Sequence, residues 1–316
     1  MLVVFAAFKK EAAGLLKLIN CQKIKKIGET IIYDGEINSK RIIVCITGRG
    51  KSNSLNGVKK IIEMDLANPL FLIQGTSGAL IENMKIGDLI IYESIQNLEQ
   101  IQISKNKKNK NVNEKALLEQ TTNTETAKAG NELNKIWGLS QNIKLTGNEI
   151  NSYFNIFNWE EIETITEINN DDFSFLKNIE KNNIGNFNIF KSSGAIVSSV
   201  VTDLIDKKAL NQLFGAEAVD MESYYIADIA RNNGIPVACV RSVSDNLMEG
   251  VPDFFNDFES NNKNKYLKKI FILFKIIFSK SKIKSAYRTL KNINIASKNL
   301  NDFVAKIVLP SFDYKL

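Results

Sequence analysis

Apolar runs and helix-period segments alternate along the first 94 residues. LVVFAAF (2–8) is an almost unbroken apolar run, and KKEAAGLLKLI behind it has apolar residues recurring at helical spacing. IIYDGEI (31–37) and RIIVCIT (41–47) read as two strands of a hairpin closed around Asn38 and Ser39. SLNGVKKIIEM predicts a helix, and LFLIQG (70–75) and GDLIIYES (87–94) predict two more strands. After residue 98 the periodicity dissolves into ISKNKKNKNVNEK and QTTNTETAKAGNE, polar and rich in Asn and Lys, which predicts a surface excursion to about residue 185. Order resumes in GNFNIFKSSGAIVSSVV (185–201), followed by a helix in DLIDKKALNQLFG. IADIARNNG is an amphipathic helix that ends at Gly234, and Pro236 just beyond it opens a strand, VACVRSV. Two basic amphipathic helices are predicted from about 264 to 306.

Strands alternating with helices predict an α/β fold whose sheet, mixed or parallel, is mostly covered. The expected organisation is one domain over 1–255, carrying the polar excursion at about 98–185, and a basic helical tail over 256–316. Open α/β sheets bind ligands at the carboxyl ends of their strands. Four places qualify: Lys9 to Glu11, Gly75 to Ala79, Ile196 to Ser199, and Ser244 to Asn246.

Composition narrows the chemistry. A chain of 316 residues with 44% apolar content can bury a large core. The net charge of +6 comes mainly from Lys in the Asn/Lys-rich stretches, which argues against a groove built for nucleic acid. Cys21, Cys45 and Cys239 are odd in number and widely spaced, so they read as reduced core residues of a cytoplasmic protein, without metal-ligand spacing. The chain contains no histidine. Imidazole acid–base chemistry, His-based triads and His-ligated zinc are thereby excluded, leaving proton transfer to carboxylates, Lys, Tyr or Cys. MLVVFAAFKK lacks the basic start of a signal peptide and reads as a first core strand. IFILFKIIF (270–278) is broken by Lys275 and falls well short of the ~20 residues that span a bilayer.

Several acidic and small residues stand where chemistry is expected, and each also has a structural explanation. Glu11 follows the first strand in the first turn of a helix, a position that favours a carboxylate in any protein. GTSGAL (75–80) places Gly75 and Thr76 after a buried strand, where a backbone without side chains can approach an anion or a sugar; turns of small residues are also common. Asp220, Met221 and Glu222 open the amphipathic helix. Asp245 lies just past the next strand, 23 residues after Glu222, although Ser-Asp-Asn is equally good turn chemistry.

Four segments taken together, FAAFKKEAAGLL, IQGTSGALIENMKIGDLII, FGAEAVDMESYYIADIARNNGIPVACV and RSVSD, resemble the nucleoside phosphorylase/nucleosidase superfamily. The similarity is to its 5′-methylthioadenosine/S-adenosylhomocysteine nucleosidase branch and to the related hopanoid-associated nucleoside phosphorylases. It covers residues 1–94 and 190–250 and has no counterpart between 98 and 185. The V-D-M-E-S and R-x-x-S-D pair at this spacing is its most specific part. The resemblance implies a phosphorylase/hydrolase-like three-layer α/β/α fold with a mixed central sheet and no metal or organic cofactor. It implies a purine nucleoside as ligand and cleavage of the N-ribosidic bond through a ribosyl cation-like transition state. On that likeness Asp245 is the acid at purine N7, supported by Ser244, and Glu222 holds the ribose hydroxyls. Met221 packs on sugar and base. Glu11 activates the attacking water, with Thr76 and Arg241 positioning it, and the backbone near Ile196 and Val197 faces the base.

Water and phosphate compete as nucleophile. Phosphorylases of the superfamily carry an arginine just before the Gly-Ser/Thr turn, and here that place is Ile73. The resemblance therefore favours hydrolysis. Lys9, Lys10 and Arg49 stand near the expected pocket, either as collectors of phosphate or as solvated surface charges, with Arg49 also a candidate for the 5′ substituent. The resemblance thus implies hydrolysis of a 5′-substituted adenosine with release of adenine; the alternatives are a phosphorylase acting on a membrane-associated adenosyl lipid of the hopanoid type and, outside catalysis, a nucleoside-binding protein without turnover. The tail has two readings: its apolar face packs on the domain or on a second subunit, or it attaches to an anionic membrane surface, as the likeness to the hopanoid-associated proteins suggests. A homo-oligomer is expected, because pockets of this kind borrow residues from a neighbouring subunit.

Overall fold

The computed structural model describes residues 1–99, 187–248 and 280–313. It adds 102–103, 154–155, 164–166 and the single positions 168, 173, 176 and 179. The chain enters through β1 (Leu2–Ala6), α1 (Ala13–Leu18), β2 (Asn20–Ile27), β3 (Thr30–Ile37), β4 (Lys40–Ile46) and α2 (Lys51–Ile62). β5 (Leu70–Ala79), β6 (Leu89–Asn97) and the short β7 (Gln102–Ile103), β8 (Phe154–Asn155) and β9 (Thr164–Thr166) follow. The described part closes with β10 (Ile189–Ile196), α3 (Leu204–Phe214), β11 (Ala218–Asp220), α4 (Ser223–Asn232), β12 (Val237–Asp245) and α5 (Lys280–Phe303). Beyond α5 come a π-helical turn, Val304–Val308, and α6 (Leu309–Asp313).

The α/β expectation holds, with a mixed sheet at the centre. Its strands run in the order β11-β10-β6-β12-β5-β1-β4-β3-β2. β11 also pairs antiparallel with β5, through Ala218 opposite Ala79 and Val219 opposite Gly78, so one end of the sheet curls back on itself. That closure brings the carboxyl ends of β5, β10, β11 and β12 around one space.

The middle strands are apolar along their whole length because helices cover both faces. In β1, Val3 and Phe5 enter one core with Val58 and Ile61 of α2 and Ile226, Ala227 and Ala230 of α4. Leu2, Val4 and Ala6 enter the other with Leu15 of α1 and Leu300 and Phe303 of α5. β4 divides in the same way, Ile43 and Cys45 facing one core and Ile42, Val44 and Ile46 the other. α3 packs Ala209, Leu210, Leu213 and Phe214 against Ala195, Val197 and Val219 in a third cluster.

The hairpin turns at Asn38 and Ser39 with φ of 51° and 62°, the left-handed pair that a tight two-residue hairpin needs. α1 is shorter than the periodicity predicts. Residues up to Ala12 form turns, because the Glu11 carboxylate folds back to accept hydrogen bonds from Ala7 N and Phe8 N, both at 3.1 Å. Of the cysteines expected in the core, Cys45 and Cys239 are buried but Cys21 is exposed, on the edge strand β2.

The described part of the tail is not a free arm. α5 buries Ala296, Leu300 and Phe303 in the domain, and Val304 and Val308 follow. The Leu300, Phe303, Val304 and Val308 side chains each contribute ~1.5–3 kcal/mol relative to exposure. Among the described residues no helix is long and apolar enough to cross a membrane.

Candidate active site

The carboxyl ends of the curled strands surround an open cavity of about 160 Å³. Glu11, Thr76, Glu222 and Asp245 line it, as do Met221, Ser244, Val197 and Arg49. Phe8, Ser77, Ser199, Val219, Thr289 and Ile293 complete much of the wall. Four carboxylates, Glu11, Asp220, Glu222 and Asp245, therefore meet on one space, delivered by the β1–α1 turn, the β11–α4 junction and the end of β12.

Glu11 is 4% exposed and held by four donors. Oε2 accepts from Ala7 N and Phe8 N, while Oε1 accepts from Thr76 N at 2.9 Å and Thr76 Oγ1 at 3.0 Å. Burial raises its pKa above the ordinary carboxylate value, against the opposing pull of Arg241 and these hydrogen bonds. Such a carboxyl is nearer than a solvated one to the proton affinity a general base needs.

Glu222 is the N-cap residue of α4 and accepts a hydrogen bond from Gly50 N at 2.7 Å through Oε1. Gly50 adopts φ of 81°, so a residue with a side chain would be strained there. Burial first, and then the neighbouring charge of Asp220, push the Glu222 carboxyl up to about 7.

Asp245 owes its position to a bulge. The register of β12 on β5 shifts between Val243 and Asp245, so Ser244 is the extra residue and Asp245 stands opposite Gly78. The Ser244 hydroxyl lies 3.0 Å from Asp245 Oδ1 and 3.2 Å from Ser77 O, and its single proton is shared between these two acceptors. A carboxyl fixed in this way at a cavity wall can present a proton or an acceptor to a ligand's edge.

Not every residue named from the sequence touches the cavity. Arg241 is 1% exposed and lies beneath it, donating through Nη2 to Asp220 Oδ1 at 2.9 Å and through Nε to Ser223 Oγ at 3.0 Å. It therefore does not position a water directly; it supports the floor. Asp220 Oδ1 also accepts from Glu222 N and Ser223 N, both at 2.8 Å, so this acid caps α4 and neutralises the buried arginine. Gly75 gives that arginine room, since a Cβ there would lie 2.0 Å from Arg241 Nη1. Gly78 does the same for Asp245, where a Cβ would lie 2.8 Å from Oδ2. Both glycines accommodate side chains of the protein itself, and Gly78 also lines the cavity. Ile196 is fully buried in the core, and only Val197 reaches the cavity. Arg49 reaches it with Nε 3.4 Å from Met221 Sδ. Lys9 and Lys10 are exposed, Lys9 lying over the Tyr33 ring at 5.5 Å.

Two contributions escaped the sequence analysis. Lys207 on α3 is fully buried and donates from Nζ to Asp245 Oδ2 at 2.6 Å and to Asn246 O at 2.8 Å. Its signal was a charged residue on the apolar face of a helix, three before Leu210 and seven before Phe214. The other is α5, whose Thr289 and Ile293 form part of the wall. From the same helix Asn301 accepts from Gly14 N at 2.6 Å and donates to Lys10 O at 3.0 Å, tying down the turn that carries Glu11. Among the described residues no group of three or more His, Cys, Asp or Glu is placed to hold a metal ion.

Residues 192–278 match the family model of the phosphorylase superfamily, a stretch containing Lys207, Met221, Glu222, Arg241 and Asp245. The chain is 35% identical over 89 residues to the 5′-methylthioadenosine/S-adenosylhomocysteine nucleosidase of Buchnera aphidicola subsp. Schizaphis graminum, which is 28% of this chain and 37% of that protein. With the nucleosidase of the same name from Desulfotalea psychrophila it shares 32% over 95 residues, 29% of this chain and 39% of the relative. The alignments thus span less than half the length of these relatives. Among solved structures, the Neisseria meningitidis nucleosidase in complex with methylthio-immucillin-A superposes with a TM-score of 0.59 at 16% identity, covering 97% of each chain. Native futalosine hydrolase of Helicobacter pylori strain 26695 gives 0.56 at 17%, again covering 97% of each chain. These likenesses establish the fold, and with the matched segment they support the superfamily resemblance seen in the sequence.

Proposed function

We propose that this chain is a purine nucleosidase that hydrolyses the N-ribosidic bond of a 5′-substituted adenosine and releases adenine. The observation that carries it is the convergence of Glu11, Glu222 and Asp245 on one cavity. As the bond from C1′ to N9 breaks, the sugar becomes cation-like and the purine gathers negative charge. Asp245, at the end of β12, gives a proton to N7 and relieves that charge. Glu222 accepts hydrogen bonds from the ribose hydroxyls and favours the positive sugar. Glu11 takes the proton of the attacking water, with Thr76 holding its Oε1 in place. Met221, beside Arg49 in the wall, packs on the sugar and base. The names of the relatives and structural neighbours agree with this choice of reaction. Water is preferred to phosphate because Ile73, in the core, occupies the place of the phosphorylases' arginine.

The test is adenine release from 5′-methylthioadenosine, followed chromatographically with and without phosphate. Release of adenine and the free thiosugar in phosphate-free buffer is expected. Strict dependence on phosphate would overturn the hydrolytic assignment, and binding without release would overturn catalysis.

A further inference from the structure

Burying a lysine is costly, and a lysine with no exposed surface is rare unless it is paired. Lys207 is such a residue, and its partner is the carboxyl assigned above as the acid. Nζ lies 2.6 Å from Asp245 Oδ2 and 2.8 Å from Asn246 O, while Ser244 Oγ holds Oδ1 at 3.0 Å. Each oxygen of Asp245 thus has a donor of its own, and one of the two donors carries a full charge. A pair of this kind adds little net stability compared with a well-packed apolar side chain. α3 already contributes Ala209, Leu210, Leu213 and Phe214 to its cluster, so its packing does not call for an ammonium.

We propose that Lys207 is a positioning residue for the reaction: its ammonium holds Asp245 at the cavity wall and stabilises the carboxylate charge that develops there as the purine departs. This rests on the nucleosidase assignment. In the step, the O–H bond of Asp245 breaks as the N7–H bond forms. The electron pair of the bond from C1′ to N9 passes to the purine, water adds to C1′, and its proton goes to Glu11. Asp245 is left as a carboxylate facing the Lys207 ammonium at hydrogen-bond distance. Lys207 does not line the cavity, so it acts only through Asp245. The interaction is stronger when Asp245 is charged than when it is a neutral acid, so it lowers the barrier more than it tightens substrate binding.

A double-mutant cycle tests this with 5′-methylthioadenosine as the probe, using Lys207→Gln, Lys207→Arg, Asp245→Asn and the Lys207→Gln/Asp245→Asn pair. Lys207→Gln keeps a donor and loses the charge; its kcat should fall about tenfold, less than the ~10²–10⁴-fold of losing a general acid outright, with KM nearly unchanged. Lys207→Arg should retain most of the rate. In the Asp245→Asn background Lys207→Gln should cost no further rate. An unchanged kcat in Lys207→Gln, a loss confined to KM, equal losses in Gln and Arg, or losses that multiply in the double variant would each overturn the proposal. If Lys207→Gln fails to fold, Lys207→Met takes its place with the same expected results. A wild-type protein that releases no adenine would instead overturn the nucleosidase assignment, and this one with it.

Discussion

Asp245 stands opposite Gly78, and a Cβ at Gly78 would lie 2.8 Å from Asp245 Oδ2 and 3.3 Å from its Oδ1. The bulge at Ser244 turns the acid toward the cavity, and the missing side chain on β5 leaves space for it. Gly78→Ala should therefore displace the carboxyl while leaving the strand paired. Since a shift of about 1 Å in a reacting group costs ~10²-fold, adenine release should fall by about that factor. Thermal unfolding should change much less. A variant with full activity would show that the carboxyl does not need its present place.

Arg241 and Asp220 form a buried pair at the cavity floor, Asp220 lining the cavity and Arg241 beneath it, with side-chain exposures of 2% and 1%. Arg241→Met removes one partner and strands the other's charge, which costs about 3–5 kcal/mol. Chemical denaturation should show that loss. The effect on rate should follow the loss of fold and of the Asp220–α4 cap, because the arginine does not touch the cavity.

Glu222 gives a pH dependence of definite sign. Burial, followed by the charge of Asp220, raises its folded value to about 7 from an ordinary 4.5. The folded protein then holds a proton that the unfolded chain has released between those values. Its contribution to stability is fully present below about pH 4.5 and is lost as the pH rises through about 7. Denaturation midpoints measured from pH 4.5 to 8 should fall across this window, and Glu222→Gln should flatten the slope. Glu11, also raised by burial, contributes with the same sign and remains in the variant.

Asn301 joins α5 to the turn that carries Glu11, through Gly14 N and Lys10 O. Asn301→Ala leaves a part-buried N–H and a C=O without their partner, at about 0.5–1.5 kcal/mol for each hydrogen bond lost. It should also slow hydrolysis by loosening the Glu11 turn, whereas Lys284→Ala, on the exposed start of α5, should do neither.

Much of this architecture is legible in the sequence where burial is two-sided. LVVFAAF, LFLIQG and VACVRSV announce their strands because helices cover both faces, and Asn38-Ser39 announces its hairpin. β2 is missed because NCQKIKKI, an almost wholly exposed edge strand pairing β3 alone, carries no apolar alternation. β5 runs to Ala79 because its small residues stay paired with β12 and β11. In the site, the acids of V-D-M-E-S and R-x-x-S-D are visible as motifs. The division of labour between Asp220, which pairs with Arg241 at the floor, and Glu222, whose carboxyl is free of that pair, is not, since it depends on where Arg241 is buried. Lys207 is hidden for a similar reason: in one dimension a lysine beside Lys208 reads as a solvated pair.

The most direct measurement is a side-by-side comparison of wild type and Asp245→Asn, recording both the rate of adenine release and the affinity for 5′-methylthioadenosine. The account predicts a rate lower by roughly 10²-fold or more, with the nucleoside still bound. Equal rates in the two proteins would contradict the assignment of Asp245 as the acid that lets the purine go.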